Sequence, residues 1–298
     1  MQLIDNLKKL HVGKVLDNVY MKDYTTYKVG GKVLALVIPD DEDGLIKLLK
    51  YLTTNNIKHK ILGNGSNVIF NDSLYEGVII KLSNFTDLKI IGNKITVGAG
   101  YMLNKLALRV SRLGFTGMEF ATGIPGTVGG AVYMNAGAYK TDMGYIVTSV
   151  KVLTPDYKIK ILKNKDLDFH YRTSFLQKHK NYICLEVNIT LIKGNPQEIM
   201  ELIETRKARR METQPLEYPS AGSVFRNPEN DFAGRLIEDI GYKGKSIGGA
   251  KVSEKHANFI INNGNATGED IKKLINEIKD KVKEKYNIEL HVEQEFVD

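Results

Sequence analysis

Several residue types and patterns are scarce or missing in this sequence. Its 298 residues contain one cysteine, Cys184, and no tryptophan. A lone cysteine excludes an intrachain disulfide, and Cys184 lies in an apolar run, 182–191, that favours a core position over a nucleophile. No stretch approaches the roughly 18 apolar residues of a transmembrane helix, and the first ten residues lack the apolar core of a signal peptide. A reduced, cytoplasmic setting is therefore the expectation.

Charge of one sign is in modest excess. The formal net charge is +7, but lysine is scattered along the chain, whereas nucleic-acid-binding proteins concentrate it on one face or in runs with aromatic residues. We therefore expect no nucleic-acid partner and no membrane partner. The basic excess is either an ordinary solvated surface or a field that attracts small anionic substrates.

Common fingerprints of nucleotide, metal and hydrolase sites are missing too. There is no Gly-x-x-x-x-Gly-Lys-Ser/Thr sequence, and Gly63-Asn64-Gly65 is not followed by the third glycine of G-x-G-x-x-G. No His, Cys and Asp residues cluster at metal-binding spacing, so we expect no catalytic metal. Ser223 does not lie in a Gly-x-Ser-x-Gly turn, which disfavours a nucleophilic hydrolase.

The sequence is instead rich in glycine over one stretch, 117–139, which reads GMEFATGIPGTVGGAVYMNAGAY. Glycine lets the backbone approach a ligand closely, and Pro125 before Gly126 marks a turn. Consecutive N–H groups in such a segment can point at one anionic group, as they do in phosphate-binding nests.

A second glycine-rich turn occurs earlier in the chain. The stretch 61–72 reads ILGNGSNVIFND, with a strand-like apolar run on each side of the turn. Either turn alone is more simply an ordinary tight turn. Two such turns, with few side chains to obstruct a ligand, favour two phosphate contacts on one diphosphate cofactor.

The remaining pattern predicts an α+β fold. Short strands alternate with helices up to Leu191 without any internal repeat. A helix is predicted over 45–52, because its leucines fall on one face and Asp40 or Asp41 can cap it.

A second unit is predicted after the break at 194–196. A charged helix over 196–210 leads into it. A long helix is predicted over 268–286, capped by Thr267, and the chain ends in a predicted strand over 288–297.

Five motifs, taken in order, resemble those of the UDP-N-acetylenolpyruvoylglucosamine reductase family (UDP-N-acetylmuramate dehydrogenases), flavoenzymes of peptidoglycan precursor synthesis. They are GNGSN, GIPGTVGGAVYMNAGAY, YRTSF, PSAGSVFRNP and GGAKVSEKHANFI. The resemblance implies an FAD-binding domain of the vanillyl-alcohol-oxidase/PCMH type, in two parts, followed by a smaller α+β substrate-binding domain. The implied boundaries are an N-terminal helical segment at 1–22, the FAD-binding domain at 23–193 and the UDP-sugar-binding domain at 194–298.

The resemblance also implies the cofactors and the residues that bind one of them. FAD would be bound, with NADPH as hydride donor. The predicted FAD contacts are Tyr27, Gly63, Asn64, Gly65, Ser66, Asn67, Gly123, Ile124, Pro125, Gly126, Thr127, Gly129, Gly130 and Ala131.

Residues for the chemistry follow from the same resemblance. Read alone, Arg172 is either a surface ion pair or a bidentate carboxylate ligand, and Ser223 is either a turn hydroxyl or an acid. The resemblance places Arg172 at the enolpyruvyl carboxylate and makes Ser223 the proton donor. Tyr171, Arg226 and Asn227 match substrate-binding positions.

The terminal run Leu-His-Val-Glu-Gln-Glu leaves one assignment open. Read alone, Glu293 is a solvated strand glutamate. The family uses a glutamate in a Leu-x-x-Glu-Val run to assist protonation, which selects Glu293, but Gln294 replaces the usual valine and Glu295 stays possible. His256 in the last motif is expected to orient loops and not to transfer protons.

The implied activity is NADPH-dependent reduction of UDP-N-acetylglucosamine enolpyruvate to UDP-N-acetylmuramate, by a monomer. The short connection between Arg172 and Ser223 resembles the family variant that lacks a tyrosine-bearing loop. Two rivals are a flavin oxidase or dehydrogenase acting on a small alcohol or hydroxy acid, and a nucleotide-binding module without enzymatic activity. The first disagrees with the motifs after residue 218, and absence of bound flavin would favour the second.

Overall fold

The coordinates are a computed structural model and describe residues 2–298. In this range the helices are α1 (Gln2–Lys9), α2 (Glu42–Thr54), α3 (Leu103–Arg112), α4 (Val128–Tyr133), α5 (Phe175–Lys178), α6 (Pro196–Thr213), α7 (Ala233–Asp239) and α8 (Gly268–Tyr286). The strands are β1 (Gly13–Leu16), β2 (Val19–Tyr20), β3 (Lys32–Pro39), β4 (Lys58–Leu62), β5 (Val68–Phe70), β6 (Tyr75–Lys81), β7 (Leu88–Ile91), β8 (Lys94–Gly98), β9 (Phe115–Thr116), β10 (Gly137–Ala138), β11 (Thr141–Asp142), β12 (Val147–Leu153), β13 (Ile159–Lys163), β14 (Ile183–Thr190), β15 (Ile192–Lys193), β16 (Ser246–Ile247), β17 (Ala250–Val252), β18 (Ile260–Asn262) and β19 (Glu295–Val297).

The first of two compact units comprises residues 2–17, 35–64 and 77–207. One of its sheets has the order β1-β3-β6-β4, with β4 and β6 parallel. Its second sheet, β13-β12-β14-β8-β7, is antiparallel throughout. The central residues of β6 are buried and apolar, as expected of a strand with a neighbour on each side.

Two amphipathic helices complete the core of this unit. The predicted helix over 45–52 is confirmed as α2, whose four buried leucines share one face. The side chain of Asp41 accepts a hydrogen bond from the Gly44 N–H at 2.8 Å, which satisfies one of the unpaired donors at the start of the helix. Helix α3 likewise buries Leu103, Leu106, Ala107 and Val110.

The second unit comprises residues 18–34, 65–76 and 208–298. Its core surrounds α8, which begins with the predicted Thr267 cap: the Thr267 hydroxyl and the Asp270 carboxylate each accept the other residue's backbone N–H. Strands β16, β17 and β18 form an antiparallel sheet. Strand β19 pairs in parallel with β5, from a distant part of the chain.

The compact units are not the contiguous stretches expected from the sequence. Segments 18–34 and 65–76 belong with the C-terminal part of the chain, because pairing with β5 and packing around the buried Tyr27 and Ile69 hold them there. The predicted assignment of cofactor to one domain and UDP-sugar to the other stays a prediction.

Three local expectations need correction. The N-terminal segment 1–22 is not helical throughout, since α1 ends at Lys9 and β1 and β2 follow. The terminal strand is confined to β19, because the chain bends at Gln294 after an isolated bridge between Val292 and Phe225. The glycine-rich stretch contains a short helix, α4, which its two glycines gave no reason to expect.

In the described part of the chain, no helix combines the length and apolar character needed to cross a bilayer.

Candidate active site

Two glycine-rich segments meet inside the first unit. The Asn64 side-chain amide donates a hydrogen bond to the Pro125 carbonyl at 2.6 Å. A Cβ on Gly63 would lie 2.7 Å from Oγ1 of Thr127, so a glycine is required for this approach. The sequence placed these turns about 60 residues apart along the chain, and the structure brings them into contact.

The turn before α4 offers unused hydrogen-bond donors. The backbone N–H groups of Gly123, Gly126 and Thr127 donate to no atom of residues 2–298. Backbone N–H groups need partners when a ligand or packing removes water, and several in one turn form an anion-binding nest. This donor set fits the diphosphate of a dinucleotide such as FAD.

The two adjacent glycines of α4 have different surroundings. Gly129 donates its N–H to the Ala99 carbonyl at 2.8 Å, and a Cβ there would lie 2.9 Å from the Ala99 Cβ. Gly130 is exposed, and its Cβ would meet only Oγ1 of Thr127, at 3.3 Å. Gly129 is therefore required by protein packing, whereas the protein itself leaves space at Gly130.

Lys81 adds a cation to the same region of the first unit. It ends β6, and its ammonium group donates a hydrogen bond to the carbonyl of Gly63. Burial lowers the pKa of Lys81 from its usual 10.5 to about 8. Sequence reasoning missed this residue because lysine at the end of a strand is commonplace.

Arg172 lies in a tight turn of the first unit. His170 and Thr173 exchange backbone hydrogen bonds at 3.0 Å, which leaves Tyr171 and Arg172 at the tip. Arg172 has a left-handed backbone, with φ of 54°, a conformation that costs a non-glycine residue on the order of 1 kcal/mol. Its guanidinium donates to the Gly137 carbonyl at 2.9 Å and lies 5.1 Å from the centre of the Tyr171 ring.

The turn that carries Arg172 is fixed to the second half of the glycine-rich stretch. The buried Asn135 donates to the His170 carbonyl at 2.8 Å, and the buried Ser174 hydroxyl donates to the Tyr133 carbonyl at 2.7 Å. The stretch that opens with the unused N–H groups therefore also positions Arg172.

Ser223 lies in a turn of the second unit that is held from two sides. Phe225 exchanges two hydrogen bonds with the Asn258 side chain, at 2.9 and 2.8 Å, and the Val224 N–H donates to the Asn258 carbonyl. On the other side, the Glu293 N–H donates to the Val224 carbonyl at 2.8 Å. Within residues 2–298 no hydrogen bond involves the Ser223 hydroxyl, so it is available to a ligand.

The structure distinguishes the two terminal glutamates by their backbone neighbours. Glu293 pairs with Val224, next to Ser223, whereas Glu295 pairs with Asn67 and Val68 at the start of β5. Glu293 is therefore the glutamate whose backbone lies beside the serine turn.

Three further residues that were predicted to contact cofactor or substrate, Tyr27, Arg226 and Asn227, lie in the second unit. The Tyr27 ring is fully buried and its hydroxyl donates to Gln294, so a cofactor contact at this position would have to come from the main chain. Burial raises the pKa of the Tyr27 hydroxyl above its usual value. Asn227 accepts a hydrogen bond from the Ala233 N–H at the start of α7, and the Arg226 N–H donates to the His291 carbonyl at 2.9 Å.

The remaining predicted FAD contacts near β5 are Gly65, Ser66 and Asn67. The Gly65 carbonyl accepts the Thr26 N–H at 3.1 Å, and the Asn67 amide donates to the Glu293 carbonyl at 3.1 Å. This turn is thus attached to the same terminal segment that borders Ser223.

His256 and Cys184 have structural environments. His256 accepts the Asn258 N–H at 3.2 Å, and burial lowers its imidazole pKa, both of which suit a neutral ring that orients a loop. Cys184 is buried, which confirms the predicted core position. Desolvation, and after it the negative charge of Glu186, raises the pKa of the Cys184 thiol to about 12.

Comparison with known proteins adds family information to this geometry. Family models match the chain at residues 33–162, described as FAD binding domain, and at residues 214–297, described as UDP-N-acetylenolpyruvoylglucosamine reductase, C-terminal domain. The unused N–H groups lie in the first match, and Ser223 and Glu293 lie in the second. Arg172 falls between the two.

Full-length relatives are also similar. The UDP-N-acetylenolpyruvoylglucosamine reductase of Anoxybacillus flavithermus is 46% identical, over 99% of this chain and 98% of its own. The protein of that name from Caldanaerobacter subterraneus is 47% identical, again over 99% and 98%. The crystal structure of UDP-N-acetylenolpyruvylglucosamine reductase from Thermus caldophilus matches with a TM-score of 0.82 and 32% identity, over 96% of this chain and 98% of that one.

Proposed function

This chain belongs to the UDP-N-acetylenolpyruvoylglucosamine reductase family, and from that membership we propose that it reduces UDP-N-acetylglucosamine enolpyruvate to UDP-N-acetylmuramate, with NADPH as reductant. FAD, when bound, supplies the hydride transfer. The product is a precursor of peptidoglycan, so the enzyme serves cell-wall synthesis.

The observation that carries this proposal is the nest before α4. The unused N–H groups of Gly123, Gly126 and Thr127 adjoin the Gly63 turn inside the unit that contains the FAD-binding match. These groups would bind the diphosphate, and the partly buried ammonium of Lys81 adds positive charge at the same turn.

The residues of the chain have separate tasks in the reaction. Arg172 binds the enolpyruvyl carboxylate and withdraws charge from the double bond, which its planar guanidinium does bidentately. Negative charge develops on the substrate as it is reduced, and the cationic Arg172 stabilises that state, while Glu293 assists the protonation that follows. Ser223 then delivers a proton to C2 of the substrate, since its hydroxyl is available and its turn is rigid. Tyr171, Arg226 and Asn227 bind other parts of the UDP-sugar.

Flavin content and two half-reactions test the proposal. Purified protein should absorb in the visible and release FAD, and not FMN, on denaturation. Anaerobic NADPH should bleach it, and the enolpyruvyl UDP-sugar should restore the colour with UDP-N-acetylmuramate as product. Bleaching by a small alcohol or hydroxy acid instead would favour a flavin dehydrogenase. A protein that never binds FAD would contradict the proposal altogether.

Further expectations about the setting rest on the same reaction. UDP-sugars and NADPH are cytoplasmic small molecules, so we place the enzyme in the cytoplasm, as a monomer without nucleic-acid partners. Light scattering of the purified protein at micromolar concentration measures the oligomeric state directly.

A further inference from the structure

Gln294 is a buried polar residue that the reaction scheme does not use. Its side chain lies in the second unit and is 4% exposed. A buried amide costs free energy unless its donors and acceptor are satisfied. The related family usually has valine at this position, and a valine side chain has no hydrogen-bond donor or acceptor.

The Gln294 amide connects two distant parts of the second unit. Its Oε1 accepts the Tyr27 hydroxyl at 3.1 Å. Its Nε2 donates to the carbonyls of Ala221 and Gly222, at 3.1 and 3.2 Å, and lies 3.4 Å from the Ser223 carbonyl. The carbonyls identify the nitrogen end of the amide, because an oxygen facing them would be repelled.

Three successive carbonyls that converge on one point need a donor there. The turn reaches this arrangement with Gly222 in a left-handed conformation, φ 75°. Unsatisfied, the carbonyl oxygens would repel one another, and each one that is buried would carry the cost of its lost hydration. A turn of small residues would then relax to another conformation, and the Ser223 hydroxyl would move with it.

Gln294 also lies where the terminal segment changes partner. The residue before it pairs with Val224, and the residue after it pairs with Asn67. The chain bends at Gln294 itself. Fixing this side chain therefore also fixes the bend between these two pairings.

The geometry points to Gln294 as a positioning residue: its amide, held by Tyr27, keeps the 221–223 turn in the conformation from which Ser223 donates its proton. This role deepens the proposed function and rests on it. Gln294 touches no reacting atom and acts through Ser223 alone.

Variants that keep the shape of Gln294 but remove its donors test this role. Gln294→Met and Gln294→Glu should both slow recolouring of reduced flavin by the enolpyruvyl UDP-sugar, on the order of 10²-fold, since a displacement near 1 Å has that effect on a reacting group. Bleaching by NADPH, FAD content and substrate affinity should stay near wild type. Tyr27→Phe should act in the same direction but less, because it removes only the hydrogen bond that orients the amide.

A double-mutant cycle separates positioning from general destabilisation. If Gln294 acts through Ser223, then Ser223→Ala with Gln294→Met should be no slower than Ser223→Ala alone. Additive losses would overturn the inference. Val282→Ala is the matched control, because it removes a fully buried side chain of α8 in the same unit and none of the hydrogen bonds that join Tyr27, Gln294 and the Ser223 turn. An equal slowing in this control would also overturn it.

A measurement without turnover completes the test. Amide hydrogen exchange over residues 222–225 should accelerate in Gln294→Met and not in Val282→Ala. If wild-type protein fails to reduce the UDP-sugar, the proposed function fails. If wild type is active and Gln294→Met is equally fast with unchanged exchange, the positioning role alone fails.

Discussion

Arg172 has an unfavourable backbone conformation that its turn maintains. Its φ of 54° is unfavourable for a side chain with a Cβ, yet the surrounding hydrogen bonds hold it there. Strain of this kind is maintained where a side chain must be aimed, which agrees with a carboxylate-binding role.

Arg172→Lys keeps the charge and removes the planar pair of donors. We expect the enolpyruvyl half-reaction to slow roughly 10- to 100-fold, because a hydrogen bond to a charged group is worth about 1.5–3 kcal/mol. Reduction by NADPH should not change. Arg112→Lys, at the exposed end of α3, is the matched control. Equal turnover in both variants would make Arg172 an ordinary surface residue.

Substitutions at Ser223, Glu293 and Glu295 should have different effects on the enolpyruvyl half-reaction. Ser223→Ala should lower the enolpyruvyl half-reaction by about 10²–10⁴-fold, the usual contribution of a positioned general acid, with FAD content and bleaching by NADPH close to wild type. Glu293→Gln should slow the same step and Glu295→Gln should not, since only Glu293 pairs beside the serine turn. Rapid-mixing absorbance of pre-reduced enzyme measures all three variants. A larger loss in Glu295→Gln would reverse the assignment.

The lowered pKa of Lys81 predicts that the stability of the cofactor-free protein depends on pH. Its pKa is about 8 when folded and near 10.5 when unfolded, so between these values unfolding takes up a proton. The free energy of unfolding should therefore rise with pH over this window, by up to about 1.4 kcal/mol per pH unit. Urea titrations of wild type and Lys81→Met should diverge in this direction above pH 8. Lys89→Met, on exposed β7, should follow wild type; a parallel shift there would remove Lys81 as the cause.

Among the helices, those with local sequence signals were predicted, and a short helix that depends on tertiary contacts was missed. α2 and α8 were predicted with their caps, because their apolar faces and the cap residues Asp41 and Thr267 are local signals. α4 was missed because its six residues include two glycines, which disfavour a helix, and tertiary contacts override that preference.

The candidate site shows the same division. The glycine turns and the motifs around Arg172 and Ser223 are continuous in sequence and were found. The Gln294 and Asn258 contacts were not, because they join residues more than 30 positions apart. The only local signal was the departure from valine at position 294.

The two glycines of α4 should respond differently to the same substitution. Gly129→Val should destabilise the first unit by about 1–3 kcal/mol or more, because Ala99 occupies the space of the new Cβ. Gly130→Val should leave the stability of the cofactor-free protein within about 1 kcal/mol of wild type. It should nevertheless abolish FAD binding if the diphosphate lies against this face. Thermal denaturation and FAD titration measure the two effects separately. Stoichiometric FAD in a stable Gly130→Val protein would show that the ligand does not approach there.

Segments of the two compact units alternate along the chain. The chain enters the second unit at 18–34 and at 65–76 before returning to it after 207. Folding of that unit therefore needs contacts between residues more than 200 positions apart, such as Tyr27 with Gln294 and Asn262.

A C-terminal fragment tests whether these early segments are essential. Residues 194–298 are the substrate-binding domain expected from the sequence. They lack β5, the partner of β19, and Tyr27, which belongs to the same buried core as Ile271 and Leu274. Losing a buried aromatic side chain alone costs about 3–5 kcal/mol, a large share of the usual 5–15 kcal/mol of a domain. We expect the fragment to show no cooperative thermal transition and little amide protection, whereas the full chain shows both. Adding a peptide of residues 65–76 should not suffice, because 18–34 would still be missing. A fragment that unfolds cooperatively and binds the UDP-sugar would show that the second unit folds without segments 18–34 and 65–76.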